Sequence, residues 1–150
     1  MDYELTNNSG QDLSDLEEVI HNFLPFAQKY LNFDKPVKIY LISDTENAKQ
    51  AFAKTGHYSP DKSEINVFID HRHLKDILRS IAHELIHHKQ NCRGDFERDL
   101  DMSQGYAQKD PHLRNMEKEA YLLGNLLLRD FEDGLKLTKL SERLIKRWSN

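Results

Sequence analysis

The chain has one cysteine, Cys92, among 150 residues. A single thiol can neither close an intramolecular disulfide nor supply the paired thiolates of a Cys-based zinc site, so both of those staples are excluded. No apolar run approaches the roughly 18 residues that a membrane-spanning helix needs. Met1-Asp2-Tyr3-Glu4 is acidic and lacks the apolar core of a secretory leader, which predicts a cytoplasmic protein. Basic charge is not in excess. The formal net charge is −4 at pH 7, without the positive balance that drives nucleic-acid binding. Four prolines and six glycines form no linker, and there is no repeat or low-complexity tract. With 38% apolar residues, a chain of this length can bury a sizeable core, and a single domain over residues 1–150 is expected.

Against these absences stands His83-Glu84-Leu85-Ile86-His87. On a helix, residues four apart lie on one face about one turn apart, so both imidazoles can reach one metal ion. Glu84 projects near the same side and can accept a proton from a water that the metal activates. The spacing is that of the H-E-x-x-H arrangement of zinc-dependent hydrolases. Its surroundings are helical: Leu74, Ile77, Leu78, Ile81 and Leu85 recur as one apolar stripe between Leu74 and Gln90. At about 100° per residue, His83 and His87 fall nearly opposite the centre of that stripe, which predicts a helix packed by one side and offering its histidines to a cleft on the other. His88 falls on the stripe, beside Ile77 and Ile81, and is expected in the core or supporting the ligands from behind.

A catalytic zinc usually takes three protein ligands and leaves a position for water. A third histidine six residues after His87, with a glycine between, is excluded because those positions hold Arg93 and Gln90. The other route is a carboxylate from a later helix. Met116 to Leu128 is such a helix, apolar along Leu113, Met116, Ala120, Leu123, Leu127 and Phe131. Glu117 and Glu119 lie about 200° apart around it and cannot both reach one ion. Glu117 is the better third ligand, since it sits nearer the middle of the buried stripe with the small residues Ala120 and Gly124. Glu119 and His112 are the rivals. His57, His71 and His73 are spare histidines that spacing does not select.

H-E-x-x-H followed some thirty residues later by E-x-x-A resembles the gluzincin branch of the zincin-like metallopeptidases, over about Glu64 to Leu128. Small single-domain members of that kind occur in bacteria and phages, so a phage-encoded origin is compatible with the resemblance. It implies an α+β zincin-like fold: a small antiparallel or mixed sheet packed on the motif helix, a second ligand helix and a C-terminal helix. It also implies Zn2+ held by His83, His87 and Glu117, with Glu84 as general base of peptide-bond hydrolysis. Many gluzincins carry Asp or Asn four residues after the ligand glutamate, where it orients the first histidine. This chain departs with Tyr121, whose hydroxyl can still donate or accept a hydrogen bond. Tyr106, Tyr121 or one of the spare histidines is a candidate to steady a developing oxyanion.

Along the chain the periodicities predict the order α-β-(α)-β-α-loop-α-α. Asp12 or Ser14 would cap a first helix through Phe26, bent or broken at Pro25. Val37 to Ile42 and Glu64 to Asp70 read as strands, with a short helix from Thr45 to Lys54 and a turn-rich Thr55 to Lys62 between them. Leu135 to Trp148 reads as a basic amphipathic helix; a packed terminal helix accounts for it, with a membrane or partner surface as the alternative. Peptidases of this fold commonly hold an extended peptide against an edge strand, and Glu64 to Ile69 is the natural candidate. The polar stretch from Arg93 to Pro111, with Asp95, Glu97, Asp99 and Asp101, is a candidate lid or a solvated loop. Two other functions fit the same sequence. One is a non-proteolytic regulatory or interaction module that keeps the zincin fold and metal, against which the presence of Glu84 argues. The other is a helical structural protein with a coincidental motif.

Overall fold

The structure, a computed structural model, describes residues 3–96 and 110–135. Its elements run β1 (Tyr3–Asn7), α1 (Ser14–Leu31), β2 (Val37–Ile42), α2 (Thr45–Ala48), β3 (Gly56–Ser59), β4 (Glu64–Phe68), α3 (Leu74–Cys92) and α4 (Pro111–Leu135). The class is α+β, with a mixed four-stranded sheet of order β1-β2-β4-β3. β1 and β4 flank β2 in parallel, and β3 pairs with β4 antiparallel through His57↔Asn66 and Tyr58↔Ile65. Alternation along the strands buries Val37, Ile39, Leu41, Ile65 and Val67 and leaves Lys38 in water, so one face of the sheet is packed. That face meets one continuous core to which α1, α3 and α4 contribute Phe23, Leu78, Leu85 and Leu127. Among the described residues no helix is long and apolar enough to cross a membrane.

Several expectations change here. α1 runs unbroken through Pro25 to Leu31. Pro25 and the residue whose carbonyl it leaves unbonded, His21, are both exposed, so water can take the place of the missing helical bond. Asn32 ends the helix in the left-handed conformation and donates its N–H to the Gln28 carbonyl at 2.7 Å. α2 is shorter than its sequence suggests. Two strands are added, β1 and β3, and with them comes the main correction. β4 has neighbours on both sides, so the Glu64–Ile69 segment has no free edge on which a peptide could pair. That edge belongs to β3. The predicted C-terminal helix beyond Leu135, and residues 97–109 of the polar stretch with Tyr106, lie outside the described residues.

α3 and α4 build the rest of the scaffold as an antiparallel pair. Lys75 pairs with Glu132 at 3.2 Å, the His83 backbone meets Gly124, and Gln90 bonds to the Met116 carbonyl at 2.9 Å. The two helices come close at Gly124. A Cβ there would stand 3.4 Å from the backbone nitrogen and Cα of His83. Arg72 ties the sheet to the start of α3, donating to the Thr55 and Phe68 carbonyls at 3.1 and 2.7 Å and to the Ser80 hydroxyl at 2.6 Å. His73 caps α3, its Nδ1 accepting from the Lys75 N–H at 3.0 Å.

Candidate metal centre

α3 is less one-sided than its apolar stripe suggests. The sheet and α1 cover the stripe, and α4 closes over the opposite flank, so Glu84 and His87 are themselves buried. What stays open is a cleft of about 930 Å³ between α3, α4 and β3, lined by His83, Glu84, His87, Glu117, Gly56 and Tyr121 among others. His83, Glu84 and His87 each place a ligand-type atom within 4.8 Å of the others, a group able to hold a metal ion.

α4 adds Glu117. Its carboxylate spans the two imidazoles, with Oε1 2.8 Å from His87 Nε2 and Oε2 3.4 Å from His83 Nε2. Burial does not explain why this glutamate is the one that arrives. The Glu117 side chain keeps 43% of its surface exposed, more than the 32% of Glu119. Direction decides instead. Glu119 turns toward the end of α3, where it meets Arg93 at 2.5 Å and accepts from Gln90 at 2.9 Å. His112 also points elsewhere, its Nε2 bonded to the Asp95 carbonyl at 3.0 Å. Of the spare histidines, His57 lines the cleft, whereas His73 serves as the helix cap. His88 is wholly buried in the core, between the Tyr58 hydroxyl at 2.7 Å and the Lys35 carbonyl at 2.8 Å. Tyr121 contacts His83 through its ring, edge-to-face with centroids 4.6 Å apart, rather than through its hydroxyl.

The electrostatics follow from these positions. Hydrogen bonds with His83 and then His87 hold the Glu117 carboxyl far below the usual range. Burial pushes Glu84 upward, against the two imidazoles that favour its charge, and Glu117 adds to the rise. Burial would push His87 down, but the bond to Glu117 and the charges of Glu84 and Glu117 outweigh it, so the ring lies above its ordinary value. His87 Nδ1 sits 2.8 Å from the Gln90 side-chain carbonyl. A carbonyl oxygen can only accept, so Nδ1 carries a proton. In the neutral ring the Nε2 lone pair then faces a carboxylate oxygen, two acceptors at 2.8 Å. A shared proton or a cation between them relieves that conflict. Two ligand atoms on a tetrahedral zinc stand roughly 3.3 Å apart, comparable with the 2.8 and 3.4 Å found here. Two imidazoles and a carboxylate are donors that suit a metal ion, and His83, Glu84 and His87 lie close enough together to hold one.

Sequence reasoning passed over two residues that shape this centre. Gly56 brings β3 against the Glu84 side chain, where a Cβ would stand 3.3 Å from Glu84 Cγ. Gln90 enters the sequence argument only as the residue that rules out the longer histidine motif. Its position three residues after His87, on the same helical face, was the available signal. No family model, curated protein or solved structure matches the chain.

Proposed function

We propose that the protein is a zinc-dependent peptidase with a zincin-like fold, in which His83, His87 and Glu117 hold the ion and Glu84 is the general base. The observation that carries this is the meeting of one carboxylate with both Nε2 atoms of the motif, beside a separate buried carboxylate. Two histidines and a glutamate are a donor set of hydrolytic zinc sites, which leave a position for water. A zinc ion held by His83, His87 and Glu117 would lower the pKa of a bound water toward about 7 and would polarise the scissile carbonyl. The chain's own part is proton handling. Glu84, whose burial raises its proton affinity, takes a proton from the attacking water as the carbon–oxygen bond forms. It returns that proton to the amine nitrogen as the carbon–nitrogen bond breaks.

An extended peptide suits the place better than a compact molecule. β3 is a terminal strand of the sheet, and the Phe68 N–H donates to the Thr55 carbonyl at 3.2 Å. Antiparallel alternation then turns the backbone groups of Gly56 and Tyr58 away from β4, toward whatever lies along the free edge. Gly56 is the residue beside Glu84. A substrate strand added to β3 would thus run past the base, held by main-chain hydrogen bonds.

The test is cleavage of a diverse peptide library by wild type, by Glu84→Gln, and by wild type after chelation. Chelation should abolish cleavage. Glu84→Gln should retain zinc and lose about 10²- to 10⁴-fold in rate. Equal rates for wild type and Glu84→Gln, or cleavage that survives chelation, would refute the mechanism. A zinc-loaded wild type that cleaves nothing would move the assignment to a metal-binding module without peptidase activity.

A further inference from the structure

The two ends of the cleft differ in chemistry. β3 and α3 run alongside each other: Arg72, just ahead of α3, bonds to the Thr55 carbonyl just ahead of β3, and Asn91 near the end of α3 bonds to the Tyr58 hydroxyl. A strand added to the edge of β3 would pass Glu84 at Gly56. From there it would run one way toward the start of α3 and the other way toward Phe96 and Leu113, an apolar end. The end at the start of α3 is cationic. Outside the metal centre, the described residues that line the cleft include two arginines, Arg72 and Arg79, and a single carboxylate, Asp76.

The arginines differ in what they leave free. Arg72 spends both Nη atoms on the fold, donating to the Thr55, Phe68 and Asp76 carbonyls and to the Ser80 hydroxyl. All four acceptors are neutral, so none cancels its charge. Burial pushes this guanidinium down, Asp76 favours its charge and Arg79 opposes it. Arg79 stands one turn before His83 on the same face of α3, with 47% of its side chain exposed. Among the described residues it is engaged through Nη1 alone, by Asp76 Oδ1 at 2.6 Å. Its Nε and Nη2 remain able to donate. An exposed ion pair of this kind contributes little, and two guanidiniums beside one carboxylate leave a net positive charge.

We propose that Arg79 is a specificity-determining residue that binds a carboxylate of the substrate, on the side of the scissile bond that lies toward the start of α3. The proposal rests on the peptidase reading above. One helical turn separates Arg79 from His83, about 5.4 Å, and a strand advances about 3.3 Å per residue. The carboxylate therefore belongs within about two residues of the scissile bond, as an acidic side chain or as the end of the chain. A planar guanidinium can hold it through two parallel N–H···O bonds. Arg72 adds charge behind Arg79 without giving up its bonds to the fold.

The experiment compares kcat/KM of the zinc-loaded, full-length chain for peptides with Glu, Gln or Lys at each of the two positions on either side of the cleaved bond. A second set ends at those positions in a free or an amidated carboxyl group, which separates a side chain from a chain terminus as the source. At one position, or at the terminus, the carboxylate should be preferred over its amide by about 10-fold, and Lys should be worst. The preference should fall to about one in Arg79→Gln and turn toward Lys in Arg79→Glu. Ratios taken within each enzyme cancel any general loss of activity. A wild type that cleaves all of these equally leaves the peptidase reading standing and overturns the role of Arg79, as does a preference that survives Arg79→Glu. If wild type cleaves nothing, the peptidase reading fails, and binding of the same peptides by fluorescence polarisation decides. A carboxylate preference in binding that Arg79→Glu reverses keeps the site, and binding without one, or no binding, overturns it.

Discussion

His87 and His88 are consecutive residues of one helix, both buried, and are held in opposite ways. In the core, every polar atom around His88 has a complementary partner. Its Nε2 donates to the Lys35 carbonyl, its Nδ1 accepts from the Tyr58 hydroxyl, and that hydroxyl accepts from Asn91 at 2.9 Å. In the cleft, Gln90 matches one side of His87, and on the other side His87 and His83 meet a single Glu117 carboxylate, contacts that need a proton or a cation between the atoms. A closed network needs nothing further and serves the fold. Two imidazole nitrogens meeting one carboxylate hold protons between them, and a metal ion binding there would replace those protons.

The comparison breaks most sharply by substitution of each histidine. His87→Ala should weaken zinc binding by more than the roughly 100-fold that loss of an outer partner costs, as read by titration with the metal. His88→Ala should leave zinc stoichiometry unchanged. It should instead cost at least 1–3 kcal/mol of stability for each buried group left unpaired, measured by denaturant unfolding. If His88→Ala loses zinc while His87→Ala keeps it, the two roles are reversed. A smaller effect is expected from Gly124→Leu. A side chain there would push α4 away from His83, costing about 1–3 kcal/mol and weakening zinc binding, while the neighbouring exposed Leu122→Ala should do neither.

The smallest expected effect is a pH dependence in the metal-free protein. Burial holds His88 below the ordinary imidazole value of 6.5. As pH falls through that value the unfolded chain takes up the proton first. The stability contributed by His88 is therefore complete above about pH 6.5 and is lost progressively as pH falls toward the lower folded value. Replacing it with glutamine should flatten the corresponding part of the stability–pH curve. An unchanged slope would mean that His88 is not held neutral.

α3, α4, β2 and β4 are legible in the sequence because each has a long run of one periodicity. β1 and β3 are not. β1 is five residues, and β3 is a four-residue strand whose glycine, serine and following proline read as a turn. Without β3, the strand Glu64–Phe68 looks like an edge, since pairing order is a long-range property that local pattern does not contain. His83, Glu84 and His87 come together because helix geometry alone sets their spacing. Glu117 reaches them where α4 comes close to α3 at Gly124. The antiparallel register of α4 on α3 decides which carboxylate points into the cleft, and nothing in either helix alone encodes that register. Gln90 is hidden for the same reason, because two of its three side-chain partners come from α4.

The account turns on Glu117 completing a metal centre that Glu119 does not touch. Elemental analysis of purified wild type, Glu117→Ala and Glu119→Ala, each folded and exposed to equal zinc, tests it most directly. The prediction is about one zinc per chain in wild type, zinc lost from Glu117→Ala, and zinc retained in Glu119→Ala with at most a 10- to 100-fold weaker affinity through Gln90. Zinc retained in Glu117→Ala and lost from Glu119→Ala, or no zinc in any of the three, would contradict it.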